Sequence, residues 1–334
     1  MTVKLALLGA GRIGKVHARA IAGDPGAELI AVADALEDAA RGIATQYQCA
    51  VHSIDEIEAS SDIDAVVICT PTDTHADLIE RFARAGKAVF CEKPIDLDVN
   101  RVRSCLGVVE ETGAILMVGF NRRFDPHFMA VRHAIDNGQI GNVEMVQIVS
   151  RDPGPPPIDY IKRSGGIFRD MTIHDFDMAR FLLGEEPTSV MATASVLVDD
   201  KIGEAGDFDS ATVTLTTESG RHCQISNSRR ATYGYDQRIE VLGSAGMVSA
   251  ENQREFDIEL ANGDGFSRPP LHNFFMTRYT QAYANEISAF VETAKAGKPA
   301  NPSGNDGLSA LLLAEAALKS VAEKRSVLVS EISG

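Results

Sequence analysis

The 334-residue chain has no apolar run approaching the roughly 20 residues needed to cross a bilayer, so no membrane-spanning helix is expected. It has no cluster of Lys and Arg either. Its 32 basic residues are scattered among 47 acidic ones, for a formal net charge of −15. Such a surface offers no patch to phosphate backbones or anionic lipid, which argues against nucleic acid and membranes as partners. A neutral sugar or polyol would not be repelled. Cysteine is sparse. Cys49, Cys69, Cys91, Cys105 and Cys223 include no CxxC pair, their number is odd, and Cys69 and Cys91 lie in apolar runs. Reduced, buried thiols in a reducing compartment are therefore expected. No cationic leader precedes the first apolar run, and the expected location is the cytoplasm. Internal repeats and low-complexity tracts are also missing. What remains is ordinary globular composition, 44% hydrophobic and 24% charged, in a chain long enough for two domains.

The first ~120 residues alternate short apolar runs with longer stretches of helical period. The runs are Val3–Leu8, Leu29–Ala33, Ala65–Cys69, Ala88–Cys91 and Ile115–Val118. Helical stretches over Leu36–Tyr47, Thr74–Ala85 and Val99–Thr112 separate them, with Gly86 and Gly113 placed as C-terminal caps. Strands apolar throughout, with helices between, predict a parallel sheet covered on both faces. The second half differs. A helix near Pro126–Asn137 precedes a strand at Val143–Val149, and the proline-rich Asp152–Pro157 cannot be regular structure. Phe168–Leu183 is helical in period. Ala211–Thr216 and His222–Ser226 alternate as strands around Ser219-Gly220, and Glu240–Leu242 and Met247–Ala250 repeat the pattern. Helices at Phe274–Ala296 and Leu308–Glu323 close the chain. The expected class is α/β for residues 1–121, joined to an α+β domain over 122–334 with a large open, mainly antiparallel sheet; the last helix is expected to pack on the first domain.

Gly9-Ala10-Gly11-Arg12-Ile13-Gly14 is a GxGxxG sequence, and its position gives it meaning. It directly follows the first strand and opens a helix, as a dinucleotide-binding turn does. Gly9 permits the turn, Gly11 lets backbone approach a pyrophosphate at the helix N-terminus, and Gly14 allows close helix–strand packing. Arg12 and Ile13 complete the loop. Asp34, twenty positions beyond Gly14, ends the second strand where a carboxylate can bond the ribose hydroxyls. It would repel a 2′-phosphate, and Ala35-Leu36 supplies no Arg to bind one. The expected cofactor is NAD, on a Rossmann domain.

Cys91-Glu92-Lys93-Pro94 follows the fourth run, at the carboxyl end of a strand, where ligand crevices of such sheets lie. A lysine there can donate a hydrogen bond, polarise a carbonyl and move a proton. Taken alone, the same residues also suit a surface turn. Thr70, Pro71 and His75, after the third run, are expected to line the same crevice. Farther on, Asp170, His174 and Asp177 fall at i, i+4 and i+7, on one face of a helix. An imidazole suits proton abstraction near neutral pH, and a carboxylate one turn away can orient it. A packed helix histidine or a metal pair would fit as well, although no third ligand at metal spacing stands nearby and none is expected.

Together these segments resemble the glucose–fructose oxidoreductase/inositol dehydrogenase family: GAGRIG after the first strand, CTPTDTH after the third and EKP after the fourth. The resemblance covers essentially the whole chain. It implies that Lys93, Asp170 and His174 form a catalytic triad, with His174 the base and Lys93 its hydrogen-bonding partner. It also implies a frequently cis Lys93-Pro94 peptide, and a homo-oligomer (dimer or tetramer) formed through the open sheet. The segment from Pro155-Pro156-Pro157 through Tyr160, then SGGIF-D-MTIHDFDMARF, is most similar to the inositol dehydrogenase branch. Asn121 and Arg122, in a segment resembling GFxRRxD, then face cofactor and substrate, Glu92 lies beside the cofactor, and Tyr233 bonds the polyol. The implied reaction is NAD-dependent oxidation of myo-inositol to its 2-ketone, scyllo-inosose. Another inositol isomer, a pyranose or an anhydrosugar would use the same triad; an NAD-dependent glycosidase and a silent sugar sensor are more distant readings.

Overall fold

The computed structural model describes residues 2–333; Met1 and Gly334, the outer limits of the expected domains, lie outside the described residues. The chain divides into two compact units: the residues through Asp125 with Gln281–Leu311, and Pro126–Thr280 with the residues from Leu312 on.

The first unit is built on strands β1 (Val3–Leu8), β2 (Ala27–Ala33), β3 (Ala50–Val51), β4 (Ala65–Ile68), β5 (Ala88–Glu92) and β6 (Leu116–Gly119). All pair in parallel, in the order β3-β2-β1-β4-β5-β6. Because the crossovers place helices on both faces, the central strands are buried throughout, as the four residues of β4 are. The order reverses between β1 and β4, so the loops leaving those strands diverge and open a crevice at their carboxyl ends. Local chemistry sets the helix limits. The Asp98 carboxylate accepts from Asn100 N and Arg101 N to start Val99–Thr112, and Gly113, at φ +65°, ends it. Ile287, Phe290 and Val291 join the core of this sheet from the helix Thr280–Ala296.

The second unit carries β7 (Val143–Arg151), β8 (Pro187–Ser195), β9 (Ser210–Thr217), β10 (His222–Ser228), β11 (Asp236–Gly243) and β12 (Gly246–Ala250). It also has a small hairpin of β13 (Leu260–Asn262) with β14 (Gly265–Ser267), and the short β15 (Val327–Leu328). The large sheet runs β12-β11-β7-β10-β9-β8-β15, antiparallel except for the β7–β10 pair. Its two foreseen hairpins form, with Gly220 (φ +89°) in the first turn. One face, including Val146, Ile148, Cys223 and Ile225, is buried, and the helix Thr172–Leu183 packs on β7 and β10. Met145, Met191, Leu242 and Met247 on other strand positions are exposed.

Two helices expected to be continuous are interrupted. The helical segment before His174 stops at Asp170 and resumes at Thr172. Just past the break, the Thr172 hydroxyl donates to Asn227 Oδ1 on β10 at 2.6 Å, so the second segment is tied to the sheet from its first residue. The later helix is broken at Tyr279, between Phe275–Arg278 and Thr280–Ala296. The Tyr279 ring is fully buried against Tyr235 and Phe128, so tertiary packing sets its backbone.

Candidate active site

In the first unit, β1 runs straight into the glycine turn. Gly9 has φ +98°, and a Cβ on it would stand 2.6 Å from the Cys69 carbonyl group at the end of β4. Gly14 is tighter still, since its Cβ would lie 2.0 Å from the Gly9 carbonyl oxygen. Gly11 is the opposite case. It is exposed, nothing lies within 4 Å of a Cβ there, and no side chain caps the helix Arg12–Gly23 that it opens. An uncapped first turn facing open space fits a pyrophosphate, because its N–H groups and the helix dipole favour negative charge. Arg12 is exposed and Ile13 half-buried at the same turn.

Asp34 follows β2 and accepts from Ala10 N at 2.6 Å and Leu36 N at 2.7 Å. The carboxylate thus anchors the glycine loop, and each oxygen keeps a lone pair for a ribose hydroxyl. Replacing Asp34 with Ser is therefore expected to weaken NAD binding about tenfold or more by removing charge-assisted bonds, while easing the repulsion of a 2′-phosphate. Titration of the variant with NAD and NADP checks this; an unchanged ratio of the two affinities would contradict it. Asn121, in the short 3₁₀ turn after β6, is buried and its Nδ2 has no acceptor among the described residues, a donor placed for a bound group. Arg122 in the same turn is also buried.

The other predicted residues of this unit are held by their neighbours. The Thr70 and Thr74 hydroxyls lie 2.6 Å apart, and Thr74 donates to the Pro71 carbonyl. His75 is buried, with Nδ1 2.8 Å from the Pro94 carbonyl oxygen and Nε2 2.8 Å from that of Thr70. Its ring ties the loop after β4 to the Lys93-Pro94 loop, whose peptide is cis. Glu92 is turned toward the helix Arg12–Gly23, its Oε1 2.6 Å from His17 Nε2. Lys93 is half-buried just past β5.

In the second unit, Asp170 and His174 are both half-buried. Asp177 is instead fully buried beside Arg180, at 3.7 Å, and packs in the interior. Asp170 is held at both oxygens: Tyr160 donates its hydroxyl to Oδ1 at 2.8 Å, and Arg229 Nη1 lies 3.6 Å from Oδ2. Arg229 is fully buried and also lies 3.5 Å from Asp207, whose carboxylate accepts from Ile167 N. Burial raises the Asp207 pKa, although bonds from Ile167 and Phe208 N and the charge of Arg229 oppose the shift. Gly166 (φ +82°) adjoins this group, since a Cβ on it would stand 2.6 Å from Asp207 Oδ1. Under the helix of His174, Asp175 accepts from Ser150 Oγ at 2.6 Å and Asn227 Nδ2 at 2.8 Å, and Thr172 donates to Asn227 Oδ1. This network fastens the helix to β7 and β10. Tyr233 is exposed; its hydroxyl donates to Asp236 at 2.6 Å and accepts from Arg151.

Sequence reasoning passed over Arg229, Asp207 and Asp175. A signal for Arg229 existed. Buried Cys223, Ile225 and Asn227 alternate along β10, and carrying that period two residues onward puts Arg229 on the same buried face. The cysteines are free, and burial pushes the thiols of Cys69, Cys91 and Cys223 well up, that of Cys105 to about 12. These thiols stay neutral and take no part in the site.

Residues 3–120 match the model of an oxidoreductase family with an NAD-binding Rossmann fold, and residues 128–249 match the GFO/IDH/MocA C-terminal domain. The inositol 2-dehydrogenase of Rhizobium meliloti is 71% identical over 99% of this chain and all of its own length. The chain belongs to the GFO/IDH/MocA oxidoreductase family. It is thus an NAD-dependent oxidoreductase, as its glycine turn and Asp34 suggested. Among solved members, the myo-inositol dehydrogenase of Corynebacterium glutamicum is 45% identical, with a TM-score of 0.95 over 98% of this chain and 99% of that one. The scyllo-inositol dehydrogenase of Lactobacillus casei, solved with NAD(H) and scyllo-inositol, is 28% identical with a TM-score of 0.91, over 99% of this chain and all of that one.

Proposed function

We propose that this chain oxidises myo-inositol at one ring hydroxyl to the 2-ketone, scyllo-inosose, with Lys93, Asp170 and His174 as its catalytic residues. The observation that carries the reading is the 71% identity, over the whole length, with an inositol 2-dehydrogenase. Lys93 just past β5, and Asp170 held in place one turn before His174, supply the acid–base chemistry that such an oxidation needs.

NAD, when bound, accepts the hydride from the carbinol carbon. His174 takes the hydroxyl proton at an imidazole nitrogen, a group able both to accept and to release a proton. The Lys93 ammonium donates a hydrogen bond to the developing alkoxide and stabilises its charge. Asp170 orients His174 or holds a neighbouring hydroxyl. Gly9, Gly11, Arg12, Ile13 and Gly14 shape the pyrophosphate turn, Asp34 takes the ribose, and Thr70, Pro71, Glu92 and Asn121 border the cofactor. His75 belongs with them as the residue fixing the Thr70 and Pro94 loops. Arg122 and Tyr233 are assigned to the polyol. The protein works in the cytoplasm as a homo-oligomer, a dimer or tetramer joined through the open sheet, in a domain arrangement of 1–121 and 122–334.

NADH formation with NAD and a panel of myo-, scyllo- and chiro-inositol, glucose, xylose and levoglucosan tests this directly. Fast NADH release from myo-inositol is expected, with pyranoses far slower. A chain active on scyllo-inositol or a pyranose, and not on myo-inositol, would keep the chemistry and discard the substrate.

A further inference from the structure

Asp170 is held more closely than a half-buried carboxylate at a helix end requires. Each of its oxygens faces a separate group from a different part of the second unit: Tyr160 Oη on Oδ1 at 2.8 Å and Arg229 Nη1 near Oδ2 at 3.6 Å. Arg229 is 1% exposed, a large cost for a guanidinium unless its charge is used, because burying an ion forfeits its hydration. Its other carboxylate neighbour, Asp207, is fixed by Ile167 N and pressed against Gly166. The guanidinium thus joins the turn Gly165–Gly166, through Asp207, to the carboxylate four residues on.

We propose that Arg229 and Tyr160 are positioning residues that clamp Asp170 as an oriented carboxylate for the reaction. The proposal rests on the assignment of Asp170 to the catalytic residues. A buried cation lies 3.6 Å from one oxygen, and the Tyr160 hydroxyl, bonded to the other, fixes the rotation of the carboxyl plane. Held so, Asp170 presents one orientation to its reacting partner, and little reorganisation is needed as charge develops. Neither Arg229 nor Tyr160 touches the reacting atoms in this account. They act through Asp170 alone.

A double-mutant cycle in the full-length enzyme tests it, with kcat, KM for myo-inositol, NAD affinity and Tm measured for each variant. Asp170→Asn should lower kcat about a hundredfold or more. Arg229→Met should lower kcat about tenfold or more and Tyr160→Phe several-fold, with NAD affinity unchanged. In the Asp170→Asn background both should cost less than about twofold, since residues acting as a unit are non-additive. If Arg229→Met and Tyr160→Phe lower kcat as much in that background as alone, the clamp is overturned and the catalytic assignment stands. If Asp170→Asn turns over normally, the assignment falls and the clamp with it. Should Arg229→Met fail to fold, the half-exposed Tyr160→Phe arm decides by the same comparison.

Discussion

Lys93→Met and His174→Ala are each expected to lower kcat by about two to four orders of magnitude, with NAD affinity little changed. A positioned acid or base contributes about 10²–10⁴-fold to a proton-transfer step. The residues proposed to hold the cofactor in the first unit are a different set, among them Gly11 at an uncapped helix start, Asp34 on the glycine loop and Asn121 after β6. Lys93 is half-buried just past β5, away from the turn that opens the helix Arg12–Gly23 in the chain. Steady-state kinetics with calorimetric NAD titration separates the two effects. Near-normal kcat for either variant would remove that residue from the chemistry, and a parallel loss of NAD affinity would reassign it to cofactor binding.

The second large effect separates two glycines of one motif. Gly14→Ala would push a Cβ to 2.0 Å from the Gly9 carbonyl oxygen, and a backbone group cannot step aside as a side chain can. Strain of this kind belongs with the most damaging substitutions, about 4 kcal/mol or more, and NAD binding should be lost with the loop geometry. Gly11→Ala meets nothing within 4 Å and has φ −71°, a value any residue adopts. That variant should keep its Tm and still bind NAD at least tenfold more weakly, because the added methyl occupies the space an anion approaches. Thermal melts and NAD titration of both variants check the contrast. Equal Tm losses, or unimpaired NAD binding by Gly11→Ala, would contradict the account of the turn.

Much of this was legible beforehand. The parallel sheet announced itself because strands buried on both faces carry no polar alternation, as in AVVI of β4, and because GxGxxG gains meaning from a strand before it and a helix after it. Val99–Thr112 carried its C-terminal limit in Gly113. What stayed hidden depends on tertiary contacts. The break at Met171 falls where Thr172 is tied to Asn227 of β10, and the break at Tyr279 where its ring packs against aromatics of the same unit. Periodicity therefore put Asp177 on the face of His174, whereas it is buried beside Arg180. Asp175, one residue from His174, looked like any polar helix residue until β7 and β10 brought Ser150 and Asn227 to it. Glu92 and His75 show the same limit: their neighbours, His17 and the Pro94 carbonyl, lie 75 and 19 residues away along the chain.

The most direct test of the central claim follows one hydrogen. Myo-inositol carrying deuterium at carbon 2 is incubated with NAD and the enzyme, and the nicotinamide product and the ketone are analysed by NMR. Deuterium is expected on the reduced nicotinamide and absent from the product, a ketone at carbon 2. Unlabelled NADH beside a ketone that retains its deuterium would place the oxidation at another carbon and contradict the assignment.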